Sequence, residues 1–254
     1  MPEGDTIWRV AATLRDALAG KEIRQARPDG LRRLIGRTVT TVESSGKHLL
    51  MRFDGGYVLH SHLGMRGVWH VYRPADTWKR PAWQLKALLE TPDEVAVCFG
   101  APVVELVRNV AERIGHLGPD ILADSWNLTE VIRRARQRDD APVGELLLDQ
   151  RVTSGIGNVY RCEALWTERI NPWTATSRLS DEQLAGLFES ARAAMRANLT
   201  STRYRRSFPG YGRGAVHGRG GRPCPRCGTP IKVRLLGENP RLVYWCPRCQ
   251  PSPA

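Results

Sequence analysis

Two C-x-x-C pairs restrict the fold of this chain more tightly than any other feature: "CPRC" at Cys224 and Cys227, and "CPRC" again at Cys246 and Cys249. Their spacer, "GTPIKVRLLGENPRLVYW", falls in the range of roughly 15 to 20 residues that separates two thiolate pairs sharing one zinc ion. Four sulfurs on tight turns make a closed tetrahedral site with no position left for chemistry. The expected product is a structural zinc ribbon, a hairpin turning at Gly237, Glu238, Asn239 and Pro240 and held at its base by metal.

Such a ribbon is too small to account for 254 residues, and a chain of this length can bury one large core or two ordinary ones. No run of about 18 uncharged apolar residues occurs, and the first twenty lack the basic-then-apolar order of a signal peptide, so a membrane span is excluded and a cytosolic protein is expected. Pairing of four of the six cysteines in C-x-x-C units fits that compartment. The isolated Cys98 and Cys162 read as small apolar core residues. A formal net charge of +12 favours a polyanionic partner, although charge alone does not choose among DNA, RNA and anionic lipid. The cations recur in "RQARPDGLRRL", "VIRRARQR", "STRYRR" and "GRGAVHGRGGRPCPR", as a long basic groove would have them or as scattered solvated faces would.

Hydrophobic periodicity divides the rest. "DTIWRVAATLRDALAG" places Ile7, Val10, Ala11, Leu14 and Leu18 on one helical stripe, with Asp5 or Thr6 as cap and Gly20 as stop. From Thr38 to about Val107 short β-branched and alternating runs are broken at Asp54-Gly55-Gly56 and Thr91-Pro92-Asp93, which predicts an antiparallel β-sandwich. Beyond "LGPDILADSW" the pattern is helical: Asn127 with Glu130 and Ser180 with Gln183 are capping boxes, and Pro142 can start "PVGELLLDQ". The boundary is expected between residues 115 and 127, and the Gly- and Arg-rich stretch from Ser201 to Pro223 reads as a mobile basic loop.

Three further stretches carry possible chemistry. In "LLLDQRVTSGIGNVYRCEALW" a glycine turn feeds a helix at Asn158, an arrangement that suits a phosphate, although Asn158 as a plain helix cap accounts for the same pattern. In "SSGKHLLMRF" Lys47 follows a glycine turn, where an exposed edge lysine is the common case. Met65 in "HLGMRG" is either core filler or an apolar wedge on a tight loop, of the kind that enters a base stack. The opening "MPEG" is either a loose terminus or, with Met1 removed, a secondary amine on Pro2 beside the carboxyl of Glu3. A terminal amine has a reference pKa of about 7.7 to 8.0 against about 10.4 for lysine, so part of it is free to attack a carbon at neutral pH.

Taken in order, "MPEG", "GKHLL", "HLGMRGVW", "LGPD", "LLLDQRVTSGIGNVYRCEALW" and "CPRC…RLVYWCPRCQ" resemble the formamidopyrimidine-DNA glycosylase and endonuclease VIII family nearly end to end. The resemblance implies an α+β multidomain chain. Its parts would be an N-terminal antiparallel β-sandwich with a flanking helix over residues 1–120, a helix-two-turns-helix domain over 127–212 and a zinc-ribbon β-hairpin over 213–250, with damaged DNA bound in the cleft between the halves. It implies a bifunctional DNA glycosylase and abasic-site lyase that needs no small-molecule cofactor beyond one structural zinc ion; a monomer in the bacterial cytosol is expected. By the same resemblance Pro2 is the Schiff-base nucleophile and Glu3 the general acid. Lys47 contacts phosphate and assists β-elimination, Asn158 binds phosphate, Arg241 grips phosphates and assists δ-elimination, and Met65 fills the gap left by the extruded nucleotide.

The chain departs from the pattern at Asp5-Thr6, where much of the family has Pro-Glu, so a carboxylate next to the sugar is missing or moved. "HLGM" resembles the formamidopyrimidine branch, whereas "MPEG", "YWCPRCQ" and the compact loop after Leu199 resemble endonuclease VIII. Oxidised pyrimidines are the expected substrates. The alternatives are a preference for 8-oxoguanine and formamidopyrimidines, a glycosylase or lyase with only one activity, and a zinc-ribbon protein that binds DNA without catalysis.

Overall fold

The computed structural model describes residues 2–199, 206–208 and 211–252, and these divide into two compact units, residues 1–116 and 117–254. In the first unit α1 (Gly4–Leu18) is followed by eight strands: β1 (Gln25–Arg27), β2 (Val39–Ser45), β3 (His48–Phe53), β4 (Val58–His62), β5 (Val68–Tyr72), β6 (Leu85–Glu90), β7 (Val95–Phe99) and β8 (Val103–Val107). They pair as two antiparallel sheets, β1-β6-β7-β5 and β2-β3-β4-β8. The turns at Asp54-Gly55-Gly56 and Thr91-Pro92-Asp93 join β3 to β4 and β6 to β7, as their turn chemistry requires.

The apolar stripe of α1 is buried along its length at Ile7, Ala11, Leu14 and Leu18, and lies in one core with Leu49, Met51, Phe53 and Leu59. Alternation along β3 and β4 explains this, since Leu49, Met51 and Leu59 share the face turned to that core. β7 does not alternate: all five residues of "VAVCF" are buried because the strand is covered on both faces. Ala96 and Cys98 enter the main core, while Val95, Val97 and Phe99 join Tyr72 and Leu88 in a second cluster. A short α2 (Ala111–Ile114) ends the unit. The helix cap differs from expectation. Glu3, in extended conformation, is the N-cap of α1 rather than Asp5 or Thr6, its carbonyl accepting the amides of Thr6 and Ile7 at 2.9 and 3.1 Å.

The second unit holds α3 (Leu128–Arg136), α4 (Val143–Leu146), α5 (Asn158–Thr167), α6 (Asp181–Arg196) and the hairpin of β9 (Lys232–Leu236) with β10 (Arg241–Trp245). Asn127 caps α3 and Ser180 with Gln183 forms a complete capping box on α6. The helix expected from Pro142 runs only to Leu146, because the chain beyond it turns back through residues 149–157. α5 is buried all round from Tyr160 to Trp166, as expected of a helix at the centre of its unit. Of the stretch expected to be mobile, residues 201–205 and 209–210 lie outside the described residues. Elsewhere in it Phe208, Gly214, Ala215 and Val216 are buried, whereas Tyr211, Gly212, Arg213 and the run from Gly220 to Pro223 are exposed, so the stretch is anchored at two points and presents the rest to solvent.

Candidate active site and metal centre

Pro2 and Glu3 stand at the head of α1, Pro2 half-buried and Glu3 fully buried. Packing of the α1 stripe against the sandwich fixes this end of the chain, and the helix N-terminus favours the negative charge of a carboxylate there. Asp5, the departure noted in the sequence, is also fully buried in the first turn, with Arg9 Nη2 3.5 Å from its carboxylate. The head of α1 thus holds two buried acids, Glu3 at the N-cap and Asp5 in the first turn beside Arg9.

Lys47 lies in the turn that joins β2 to β3, after Gly46 at φ 57°, and is half-buried. β3 is flanked by β2 and β4, so Lys47 is a turn lysine at the end of an interior strand and not an edge residue. Met65 is 63% exposed on the turn between β4 and β5, which excludes the core-filler reading. Two glycines force that projection. Gly64 has φ 56° with Pro102 packed where a Cβ would be, and a Cβ on Gly67 would lie 2.4 Å from the Leu63 carbonyl oxygen and 2.9 Å from Ala101 Cα. Because these neighbours are backbone and cannot swing away, Gly67→Ala is expected to destabilise the chain by about 1–3 kcal/mol, read as a fall in the urea midpoint.

In the second unit the glycine turn before α5 is clamped by one side chain. Gln150 donates from Nε2 to the carbonyls of Leu148 and Ile156 at 2.8 and 3.1 Å and accepts the Gly155 amide at 3.0 Å. "LGPD" supports the same turn: the Gly118 amide donates to the Gln150 carbonyl, and Thr153 and Ser154 hydroxyls donate to the carbonyls of Pro119 and Gly118. Gly157 is the N-cap of α5 and Asn158 its first helical residue, so Asn158 is free of the plain capping role. Its Nδ2 instead donates to the Leu242 carbonyl at 2.9 Å and lies 3.4 Å from His217 Nε2. Arg241 is the exposed residue immediately before Leu242, at the start of β10, so α5 and the hairpin bring Asn158 and Arg241 onto adjoining elements.

Two residues on which this arrangement depends escaped the sequence reading. Arg161 is fully buried, bonded to the Asn158 side chain and donating to the carbonyls of Gly144 and Leu242, each at 3.2 Å. Glu163, also buried, accepts the amides of Ala215, Val216 and His217 at 2.7, 3.1 and 2.8 Å. Burial pushes its carboxyl up, and the three amides pull the other way. The only signal for either was a charge on the apolar run of "NVYRCEALW". His217 is held down to about 4 by burial, with Arg206 and Arg161 adding to the effect, and so is a neutral ring beside Asn158.

The sulfurs of Cys224, Cys227, Cys246 and Cys249 all lie within 4.8 Å of one another. Separations of 3.4, 3.5 and 3.9 Å between them bracket the edge of about 3.8 Å that four Zn–S bonds of about 2.3 Å would set. Trp166 Nε1 donates to Cys224 Sγ, and the fully buried Gln250 accepts the Cys246 amide and donates to the Ile170 carbonyl. These bonds tie the cysteine cluster to the helical body. Cys98 and Cys162 are fully buried, and burial pushes their thiols up to about 12 and about 11, so they are inert packing residues.

The comparisons with known proteins cover both units. The formamidopyrimidine-DNA glycosylase N-terminal domain matches residues 1–101, the formamidopyrimidine-DNA glycosylase H2TH domain matches 117–206, and a zinc finger found in FPG and IleRS matches 221–251. A probable endonuclease 8 2 of Streptomyces coelicolor is 40% identical, over 100% of this chain and 95% of its own length. The DNA-(apurinic or apyrimidinic site) lyase Nei2 of Mycolicibacterium smegmatis is 35% identical, over 98% and 99%. Among solved structures, the MutM (Fpg) protein of Thermus thermophilus aligns with a TM-score of 0.80 at 28% identity, over the whole of both chains. The Lactococcus lactis formamidopyrimidine-DNA glycosylase bound to DNA containing an AP site aligns with a TM-score of 0.82 at 20% identity, over 99% of this chain and 100% of that one.

Proposed function

The chain belongs to the formamidopyrimidine-DNA glycosylase and endonuclease 8 family of DNA glycosylases and abasic-site lyases, and on that premise we propose that it excises oxidised pyrimidines through a Schiff base on Pro2. The observation that carries the reading is the fully buried Glu3 carboxyl at the head of α1, one residue from a half-buried proline that can bear the terminal amine. Met1, whose removal exposes that amine, lies outside the described residues.

The target base is extruded from the duplex, which costs least for a damaged base that stacks or pairs poorly. The Pro2 nitrogen attacks C1′ and loses its proton, the C1′–base bond breaks, and Glu3 moves protons as the sugar ring opens. The cationic imine then acidifies the 2′ hydrogen. Loss of that proton expels the 3′ phosphate, and a second proton loss expels the 5′ phosphate, so the strand is cut on both sides of the sugar. Lys47 and Arg241 hold the phosphates that leave, Asn158 holds a neighbouring one, and Met65 enters the stack in place of the extruded nucleotide. None of these steps uses the metal. A structural zinc ion on Cys224, Cys227, Cys246 and Cys249 would fix the hairpin that carries Arg241.

The net charge of +12 supports DNA as the partner, and no helix among the described residues is long and apolar enough to cross a membrane. We place the protein in the cytosol, acting as a monomer. Borohydride trapping on duplexes carrying thymine glycol, 8-oxoguanine or an abasic site tests the reading: covalent capture is expected on thymine glycol and abasic DNA, and more weakly on 8-oxoguanine. Stronger capture on 8-oxoguanine reverses the lesion preference. DNA binding with no capture on any lesion overturns the Schiff-base mechanism and makes the zinc-ribbon binding module the better reading, with release of free base from thymine glycol DNA distinguishing a glycosylase that lacks the lyase activity.

A further inference from the structure

The connection between β5 and β6, residues 73–84, carries two tryptophans with opposite surroundings. Trp78 is half-buried in the second cluster of the β1-β6-β7-β5 sheet, its ring edge-on to Phe99 at 5.6 Å. Trp83 is 82% exposed, and the chain on both sides of it is fixed. The Lys79 amide donates to Tyr72 Oη at 3.0 Å, and Pro81 leads into a single helical turn over Ala82–Gln84. The Gln84 amide donates to the Pro81 carbonyl at 3.0 Å, and the Gln84 carbonyl accepts the Gly100 amide at 2.8 Å. An indole set on so rigid a turn has little conformational entropy left to lose when something covers it.

Strand register puts this turn at the end of the sheet that presents Met65. Val68 of β5 and Leu85 of β6 both pair with Phe99 of β7, and Met65 and Trp83 stand three and two residues before them. Gly100 joins the two turns: its amide bonds the Gln84 carbonyl, and a Cβ on it would lie 3.6 Å from the Arg66 carbonyl oxygen. With β7 between them, β5 and β6 are about 10 Å apart, which is about three steps along a nucleic-acid strand at about 3.4 Å each. The surroundings are cationic. Arg66, Lys79, Arg80 and Lys86 are exposed, and Asp76 is the one acid between Asp54 and Glu90. Among the described residues none of these four cations forms an ion pair, so their charge is left for a polyanion. An exposed indole among such cations matches a nucleobase and its flanking phosphates. Inside a closed duplex each base face is covered by its neighbours, so the indole can stack only where a base is unpaired.

We propose that Trp83 is a stacking platform for an unpaired nucleobase about three nucleotides from the lesion, with the four cations holding backbone phosphates around it. The protein then binds damage in locally unpaired DNA more tightly than damage in a closed duplex. The inference rests on the reading of Met65 as the residue that enters the stack at the lesion. Binding is measured on oligonucleotides carrying a tetrahydrofuran abasic analogue in a fully paired duplex, or beside an unpaired run of about four nucleotides on its 5′ or its 3′ side. Wild type is expected to bind one of the open substrates about 10-fold more tightly than the closed duplex. Trp83→Ala should lose that gain and bind the closed duplex within about 2-fold of wild type, and Trp83→Phe, which keeps an aromatic face, should retain most of it. Because Trp83 is exposed, neither substitution removes a core contact. 2-Aminopurine at the third unpaired position should be quenched by wild type and not by Trp83→Ala. Equal binding of open and closed substrates by wild type would overturn the platform, as would equal weakening of both by Trp83→Ala. Unchanged binding by Trp83→Ala on every substrate would also overturn it and leave this face to a protein partner. Met65→Ala tests the premise separately: if it binds the closed duplex as tightly as wild type, Met65 does not enter the stack, and the placement of Trp83 relative to the lesion falls with it.

Discussion

Glu3→Gln, in protein processed to expose Pro2, is expected to lower excision of an intact oxidised pyrimidine by about 10²- to 10⁴-fold, the range spanned by general acid–base catalysis. The same variant should still be captured by borohydride on a preformed abasic site, where no base remains to depart and the C1′ aldehyde is already available to the amine. Glutamine matches the size of glutamate and keeps its hydrogen-bonding oxygen, so the fully buried site at the head of α1 stays filled. The cost to stability is a lost charge at a helix N-terminus, about 0.3–1 kcal/mol, and a thermal melt would confirm that the variant is folded. Covering Pro2 with an N-terminal extension gives the complementary result. Its nitrogen becomes an amide that cannot form an imine, and capture should vanish on every substrate, abasic DNA included. The pair of results separates proton transfer from nucleophilic attack. Excision by Glu3→Gln at the wild-type rate would move the acid role elsewhere, and the buried carboxylate of Asp5, two residues on, would be the next group to test.

Much of this arrangement was legible in the residues because the physics that sets it is local. Four thiols at fixed spacing can close on one metal, and their sulfurs do come together. The stripe of α1, the turns at Asp54 and Thr91 and the capping box at Ser180 each follow from a few neighbouring side chains. The elements that were not legible depend on partners distant in sequence. β1 is three residues of a mixed pattern and is a strand because β6 lies beside it. Arg161 and Glu163 occupy positions where helical periodicity expects apolar side chains. They are tolerated because Asn158, Gly144 and Leu242 accept from the terminal nitrogens of one and the amides of residues 215–217 donate to the other. The same Glu163 bonds anchor residues 215–217 within a stretch rich in glycine and arginine, through backbone amides that composition does not register. Assignment of roles to Pro2, Lys47, Asn158 and Arg241 came from the resemblance, since no spacing rule alone separates a turn lysine from one that grips phosphate.

Removing the metal should produce the second large effect, and its form distinguishes a structural zinc from a chemical one. A two-stranded hairpin is marginal by itself in water, and in small zinc modules metal binding supplies apparent free energy of about 10–16 kcal/mol near neutral pH. Without the ion, four sulfurs packed within 4.8 Å would have to protonate or separate. Separation pulls on the Gln250 bonds to Cys246 and Ile170, and through β10 on the Leu242 carbonyl that both Asn158 and Arg161 engage. Chelation, or Cys246→Ser, is therefore expected to weaken binding to abasic DNA by about 10²-fold, roughly 2.8 kcal/mol, with loss of one zinc ion per chain by native mass spectrometry. Trp166, which donates to Cys224 Sγ, and Trp245 at the end of β10 should report the change in fluorescence. Arg241→Ala supplies the contrast, since it leaves the four cysteines and the Leu242 carbonyl in place. It should retain zinc and shift the cleavage products from δ- towards β-elimination. A closed four-sulfur site predicts that metal-depleted protein still forms its imine at a near-normal rate once DNA is saturating, because Pro2 and Glu3 belong to the other unit and a metal held by four sulfurs has no position left for a reacting atom. Imine formation that stayed slow at saturating DNA after chelation, but not in Arg241→Ala, would assign the ribbon a part in the chemistry that a structural metal cannot have.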